Sequence, residues 1–408
     1  MRDDQLLQDL DNAKLASEKF DWLAEKKITT YSYLFEFIQD ERNDSEQRSH
    51  ACFVLARLWK VVDKRQAVPP LLIALKSSDE EIRRSAAHAL GMLKSKRAVI
   101  PLLAILSDNS ESVTLRHWVI DALNSIGDER ALLLFWKIID DPNEHPEIRS
   151  RAIEEMFERP EPIDRFIELL ADPTPDIRFW AAYALSYITP PEALSELDRI
   201  VAYDHTLPIG WGWHVDREAM LPLETIYYRK ILGLYDNNEA EEYPWYGHGN
   251  FYLISPAPEY WTLNHRYRKT KDDWTYTTNP LPEIKLRIEP EWLAKKLKAK
   301  WPEIRLNVRE PRPQAYLLDW HLQVGEQHLI GGLHRDQYGI VLTGDDLIYW
   351  FAEWYRSLFP ESQHLYLYQW ADPHVELKPV MSAAEIEQAS SDESMSAAYL
   401  QEEDLTFG

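Results

Sequence analysis

Several places in the chain set an imidazole where it could do chemistry: His205, His214 with Asp216, His248, Asp319 with His321, and His334 with Asp336. An imidazole oriented by a carboxylate serves general acid–base catalysis and activates Ser or Cys nucleophiles. The other signs such chemistry requires are missing. His334-Arg-Asp336 matches the start of a kinase catalytic loop, yet no Asn follows at the required distance. No Asp-Phe-Gly comes after it, and no glycine-rich phosphate loop precedes it. Zinc needs three or four converging ligands, but there is no His-Glu-x-x-His, no His-x-His, and one thiol, Cys52. No Gly-x-Ser-x-Gly elbow exists, and Gly331-Gly332 alone is a weak phosphate signal. The sequence therefore nominates no catalytic, cofactor-binding or metal residue, and the His–Asp pairs read as turn or surface pairs. A site assembled from distant residues stays open.

A second class of chemistry is recognition. Trp211, Trp213, Trp245 and Tyr246 lie beside Glu239, Glu241 and Glu242. Large aromatics inside a negative surround suit a basic protein surface; the same rings would also serve to fill a junction between domains. With His334 and Asp336 they form the candidate partner-binding set. Charge points the same way: 45 Lys+Arg against 68 Asp+Glu leave a net charge of -23, which repels phosphate backbones and anionic lipid. The expected partner is a basic protein, with no nucleic acid and no membrane. MRDDQLLQDLDNAKL has no basic region followed by an apolar run, and no stretch approaches the length of an apolar membrane span, so the expected location is cytoplasmic. A single Cys excludes an internal disulfide.

The elements that must carry these residues begin with a repeat. Aligning on one Arg per unit gives Arg48, Arg83, Arg116, Arg149 and Arg178, separated by 35, 33, 33 and 29 residues. Small or apolar residues follow at the third, fourth and seventh places after each Arg, as in Arg83-Arg-Ser-Ala-Ala-His-Ala-Leu90, which is one face of a helix. A second apolar helix lies between successive units, as in Ala98-Val-Ile-Pro-Leu-Leu-Ala-Ile-Leu106. These segments, with Asp79 to Arg83 and Asp176-Ile-Arg178 in the inter-helix turns, resemble HEAT repeats of the short variety also seen in phycobilin lyase subunits. The resemblance covers about residues 45 to 190 and implies a stack of helix pairs with capped ends. The recurrent Arg could line a face that binds carboxylates or phosphates; their regular spacing with the turn Asp favours pairing that holds the stack together. Cys52 reads as a buried small hydrophobe, and His50, His88 and His117 as surface or packing residues. Leu6, Leu7, Leu10, Phe20, Leu23, Tyr33, Phe35 and Phe37 predict two closing helices within residues 5 to 40.

Beyond residue 200 the period is lost and aromatics accumulate: of the 16 Trp, only Trp22, Trp59, Trp118, Trp136 and Trp180 come earlier. One helix is expected between Pro222 and Leu234. Residues 281–378 then read strand (Ile284 to Ile288), helix (Pro290 to Trp301), strands at Gln314 to Val324, His328 to His334 and Tyr338 to Leu342, a helix after Asp345-Asp346, and a strand at His364 to Tyr368. The expected fold class is an α-α superhelix of HEAT repeats followed by a smaller α+β domain with a mostly antiparallel sheet. Its divisions are a helical cap (1–44), the array (45–200), an aromatic-rich junction (201–280), the α+β domain (281–378) and an acidic, mobile tail (379–408). Met381 to Gly408 carries seven acidic residues and no basic one, so the tail either shields a positive surface or confers solubility.

Gly331-Gly-Leu-His-Arg-Asp336, Val341 to Gly344 and Phe351 to Pro360 resemble the carboxyl-terminal part of immunity proteins that neutralise polymorphic toxins, with only Trp354, Leu358 and Pro360 carrying over, as packing residues. The expected function is a noncatalytic protein-binding protein, in its specific form an immunity protein or inhibitor that occludes a basic toxin. The phycobilin lyase resemblance implies an alternative, an enzyme handling a linear tetrapyrrole attached to a cysteine of another protein. A scaffold inside a larger assembly is a third reading.

Overall fold

The computed structural model describes residues 29–60, 62–156, 163–208, 214–235, 250–256, 266–269, 274–277, 285–369 and 375–391. The chain forms two compact units, Met1–Glu158 and Arg159–Gly408, so the division falls inside the predicted array.

The first unit is a run of antiparallel helix pairs: α1 (Thr29–Gln39) with α2 (Ser45–Arg57), α3 (Lys64–Ala74) with α4 (Glu80–Met92), α5 (Val99–Leu106) with α6 (Val113–Ile126), and α7 (Glu129–Asp140) with α8 (Pro146–Glu154). The part of the predicted cap before residue 29 lies outside the described residues. Short polar side chains start the helices by accepting orphan backbone N–H groups. Asp44 accepts from Gln47, Asp79 from Glu81 and Ile82, Ser112 from Leu115 and Asp128 from Arg130. Gly127, at φ 69°, ends α6 in the left-handed region. The even-numbered helices pack side by side through buried Ala86, Ala87, Ala89 and Ala122. At Gly91 a Cβ would come within 2.8 Å of the Ala122 Cα, so glycine sets how closely α4 and α6 approach.

The recurrent Arg hold this stack together. Arg48 Nε donates to the Ile38 carbonyl at 2.9 Å, Arg116 Nε to Leu106 at 3.0 Å and Arg149 Nε to Ile139 at 2.9 Å. Each acceptor sits in the last turn of the preceding helix, where carbonyls have no intrahelical donor. From the same helix position, guanidinium groups also reach one unit onward: Arg83 to Glu111 (2.7 Å) and Arg116 to Glu144 (2.5 and 2.9 Å). The turn carboxylate Asp79 caps its own helix instead.

The second unit opens with four more helices, α9 (Ile163–Leu169), α10 (Pro175–Ile188), α11 (Leu194–Tyr203) and α12 (Val215–Leu232). Arg178 repeats the pattern, donating to Asp172 O at 2.7 Å and to Asp204 at 2.5 and 3.1 Å. Seven antiparallel strands follow in the order β4-β5-β6-β7-β1-β8-β9. They are β1 (Asn250–Ser255), β4 (Arg305–Leu306), β5 (Tyr316–Val324), β6 (Gln327–His334), β7 (Ile340–Gly344), β8 (Tyr366–Gln369) and β9 (Val375–Glu376); β2 (Arg266–Lys269) and β3 (Trp274–Thr277) pair separately. Helices α13 (Pro290–Lys300), α14 (Leu347–Arg356) and α15 (Ala383–Ser390) share a hydrophobic core with the sheet, through Leu293, Leu297, Trp320, Phe351, Tyr355 and Ile386.

Three expectations need correction. Residues 285–288 lie outside the sheet, although Ile288 is buried and its N–H donates to Gln337 O at 2.7 Å. The place is taken by β1, from the predicted junction, inserted between β7 and β8. Phe251 to Ser255 are all buried, so the strand shows no two-residue alternation and its sequence does not announce it. Helix α12 starts at Val215 and runs through Pro222. Ser382 and Glu385 form a capping box that starts α15 inside the predicted tail, and Ile386 anchors it. Asp346 stands at the N-cap position of α14, as expected, and the Asp345 carboxylate accepts from His328 N at 2.8 Å.

In the second unit a buried ion pair ties α12 to the sheet. Arg309, fully buried, donates Nη2 to Glu224 Oε2 at 2.8 Å and Nη1 to Oε1. Glu224 also accepts from the Tyr316 hydroxyl at 2.6 Å and from Thr343 Oγ1 at 3.3 Å. The guanidinium lies between the Tyr316 and Tyr227 rings, 4.4 and 4.9 Å from their centroids. Asp198 of α11 adds a second tie, accepting from Gln314 N at 2.6 Å and Ala315 N at 3.0 Å.

Candidate functional site

In the first unit, side chains two or five places after the repeating Arg of successive even-numbered helices meet in a row. Phe53 of α2 is 38% exposed and stacks on His88 of α4, with ring centroids 5.5 Å apart. His88 meets Trp118 of α6 edge-on at 5.3 Å. Arg57 lies over Phe53 at 6.0 Å and Arg84 over Trp118 at 5.8 Å. Burial holds His88 below the usual imidazole range, so its ring is a neutral aromatic surface.

This aromatic row runs into a carboxylate cluster. Arg151 of α8 pairs with Asp121 at 2.7 Å, with Glu155 at 2.5 Å and with Glu154. One guanidinium thus faces three carboxylates, and Asn124 donates its amide to Glu155. Burial, helped by Asp121 and Glu154 against the pull of Arg151, pushes the Glu155 carboxyl up to about 7. The ridge therefore offers rings for stacking, and the cluster beside them sets one guanidinium against three carboxylates.

In the second unit Asp216 brings His205 and His214 together. His205 Nδ1 lies 2.6 Å from Asp216 Oδ2 and His214 Nδ1 lies 3.9 Å from Oδ1. The hydrogen bond to Asp216 raises the His205 pKa, whereas burial lowers that of His214. Among the described residues no hydroxyl or thiol hydrogen-bonds to either ring, so the contacts supply an oriented imidazole without a nucleophile. His334 is only 2% exposed; its Nδ1 is 3.0 Å from Asp336 Oδ2 and its Nε2 is 3.2 Å from Val201 O. Burial disfavours its charged form, but Asp336 outweighs this and its pKa is raised. Asp336 also accepts from Tyr338 N and Gly339 N at 2.9 Å each, which closes the β6–β7 turn. His334, buried, and Asp336, partly buried, thus both make contacts within the fold.

Asp319 and His321 do not pair. Asp319 accepts from Val308 N at 2.7 Å and Arg309 N at 3.0 Å. His321 receives Arg305 on Nδ1 and lies 2.9 Å from His328 Nδ1 through Nε2. Gly331 and Gly332 hold no phosphate loop: they are strand residues facing Trp320 and Tyr316, whose rings fill the space a Cβ would take. Cys52 is buried and its thiol is pushed up to about 12 by desolvation. Trp211, Trp213, Glu241, Glu242, Trp245, Tyr246 and His248 lie outside the described residues. Among the described residues no group of three or more His, Cys, Asp or Glu is placed to hold a metal, and no helix is long and apolar enough to cross a membrane.

A family model for HEAT repeats matches residues 32–115 and 134–207. The chain is 33% identical over 120 residues to the bilin biosynthesis protein PecE of Mastigocladus laminosus, covering 29% of this chain and 34% of that one. It is 27% identical over 121 residues to deoxyhypusine hydroxylase of Phaeosphaeria nodorum, covering 29% and 37%. The chain thus spans about a third of the length of the curated relatives it matches. Among solved structures, the complex of CpcE and CpcF of phycocyanin lyase from Nostoc aligns at 19% identity and a TM-score of 0.31, over 53% of this chain and 92% of that one. These relatives lend no support to the toxin-immunity resemblance. The helix pairs spanning residues 32–115 and 134–207 are HEAT repeats, and the chain is a HEAT-repeat α solenoid followed by an α+β domain with an antiparallel sheet.

Proposed function

We propose that this chain is a noncatalytic protein-binding protein and that the ridge Phe53–His88–Trp118, with Asp121, Glu154 and Glu155, receives a basic segment of its partner. One observation carries the reading: a partly exposed aromatic row adjoins three carboxylates that share one Arg. Stacking rings supply contact area and residence time, and the surplus carboxylates steer and orient a cation. The overall charge of -23 adds to the attraction at long range. The protein chosen as bait is the full chain, tagged and drawn from its native lysate, followed by a titration of the recovered stoichiometric partner. Trp118→Ala is expected to weaken that complex by about 30-fold, the effect of one hot-spot ring, with helix content unchanged, while Leu133→Ala leaves it intact. Equal affinity for both variants sinks the ridge as the contact. The finer form, an inhibitor that occludes a basic toxin in the cytoplasm, rests on charge alone and requires the partner's toxicity to vanish on binding.

The likeness to PecE over 120 residues favours a second reading, a chromophore-handling factor. A bilin mixed with the full chain would then change its visible absorbance, and an unchanged spectrum removes that reading.

A further inference from the structure

Helix α13 stands against the acidic background of the chain. Lys295, Lys296, Lys298 and Lys300 are all exposed, and Glu291 is the single carboxylate between Pro290 and Lys300. Among the described residues none of the four lysines makes an ion pair; Lys298 donates to Ile304 O. Lys296 Nζ lies 5.8 Å from the Trp292 ring and Lys300 Nζ 6.0 Å from Trp301. Trp292 is 36% exposed and Trp301 meets Trp354 of α14 at 4.7 Å, with Trp350 one turn earlier 61% exposed. The result is a stripe of unpaired cations on aromatic platforms.

We propose that the acidic segment 392–408 of the same chain docks on this stripe and masks it. Charge complementarity selects the occupant: the segment carries Asp392, Glu393, Glu402, Glu403 and Asp404 and no basic residue. Tyr399, Leu400, Leu405 and Phe407 flank its acidic triplet, matching rings interleaved with lysines. The tether selects it too. The segment follows α15, whose Ala383 N donates to Glu353 of α14 at 2.9 Å and whose Ile386 shares a core with Leu293 and Leu297 of α13. Seventeen residues reach up to about 60 Å when extended, whereas α13 is about 16 Å long. A covalent link gives millimolar effective concentration, so modest contacts suffice for docking.

The test is zero-length carbodiimide crosslinking of the full chain, with mapping of the monomer fraction at about 50 mM and about 500 mM salt, where screening differs several-fold in range. Glu402, Glu403 or Asp404 is expected to join Lys295, Lys296 or Lys300, in clear excess over the exposed Lys64, Lys76 and Lys94 of the repeat unit, and the excess is expected to vanish at high salt. Independently, neutralising the triplet (E402Q, E403Q, D404N) in the full chain is expected to weaken docking by roughly tenfold, the combined effect of three exposed charge pairs, read as faster amide exchange in residues 290–300. Crosslinks spread evenly over all lysines, links found only between two copies, or unchanged exchange after neutralisation would each overturn the proposal.

Discussion

Glu224 and Arg309 offer the sharpest test of how the second unit is held. Both are essentially inaccessible to solvent, at 1% and 0% exposure of their side chains. Replacing Glu224 with Gln keeps the shape but leaves the guanidinium buried without a counter-charge, and the Tyr316 and Thr343 hydroxyls lose a charged acceptor. Removing one partner of such a pair costs about 3–5 kcal/mol, and weakening a hydrogen bond to a charged acceptor adds about 1 kcal/mol. Removing both charges is different: with Glu224→Leu and Arg309→Met no charge remains to be desolvated, so the double variant is expected to lose at least about 2 kcal/mol less than the two single losses combined. Urea unfolding followed by Trp fluorescence would read the second unit, since most of the Trp residues lie there. Amide exchange in Val215–Leu232 and Tyr316–Val324 would localise the effect. A Glu224→Gln variant within about 0.5 kcal/mol of the parent, or strictly additive single losses, would refute the idea that this pair joins α12 to the sheet.

Two further outcomes follow from the same unit. In Gly331→Ala the new Cβ would lie 2.3–2.6 Å from Trp320 indole atoms, and because that ring is buried and stacked on Phe351 at 5.6 Å it has nowhere to move; a loss of about 1–3 kcal/mol in urea unfolding is expected, and an unchanged midpoint would contradict the packing. His321 is held down to about 4 by burial, by Arg305 and by His328, so between its ordinary value of 6.5 and about 4 the unfolded chain takes up a proton that the folded chain refuses. Stability is therefore expected to fall by about 2 kcal/mol from this group between pH 7 and pH 5; His321→Gln should remove that component of the slope, and an identical slope would exclude it.

The solenoid was legible because its information is local. An Arg every 29 to 35 residues, small residues three and four places on and a capping Asp or Ser before the helix all act within one helix pair, and the next pair repeats them. The structural role of Arg48, Arg83, Arg116, Arg149 and Arg178 was legible for the same reason, although Glu111, Glu144 and Asp204, rather than the turn Asp, turned out to be the acceptors. The ridge was missed, yet a signal existed. The residues two and five places after each Arg include Trp118 and Arg151, and Phe53, His88, Asp121 and Glu154. Three residues apart on a helix is one face, and that face carried rings and then carboxylates.

By itself, then, the sequence determined the repeat, the strands β5 and β6 with their Gly325 turn, and the helices α13 and α14, because periodicity and turn chemistry act over a few residues. Only the tertiary structure decided that Asn250–Ser255 enters the sheet between β7 and β8, that Glu224 meets Arg309 across 85 residues of chain, and that Asp216 gathers His205 while His321 turns to Arg305 and His328. The physical reason is that a fully buried strand has no polar face to alternate with. A buried charge, likewise, takes its partner from whatever the packing sets beside it, however far away in sequence.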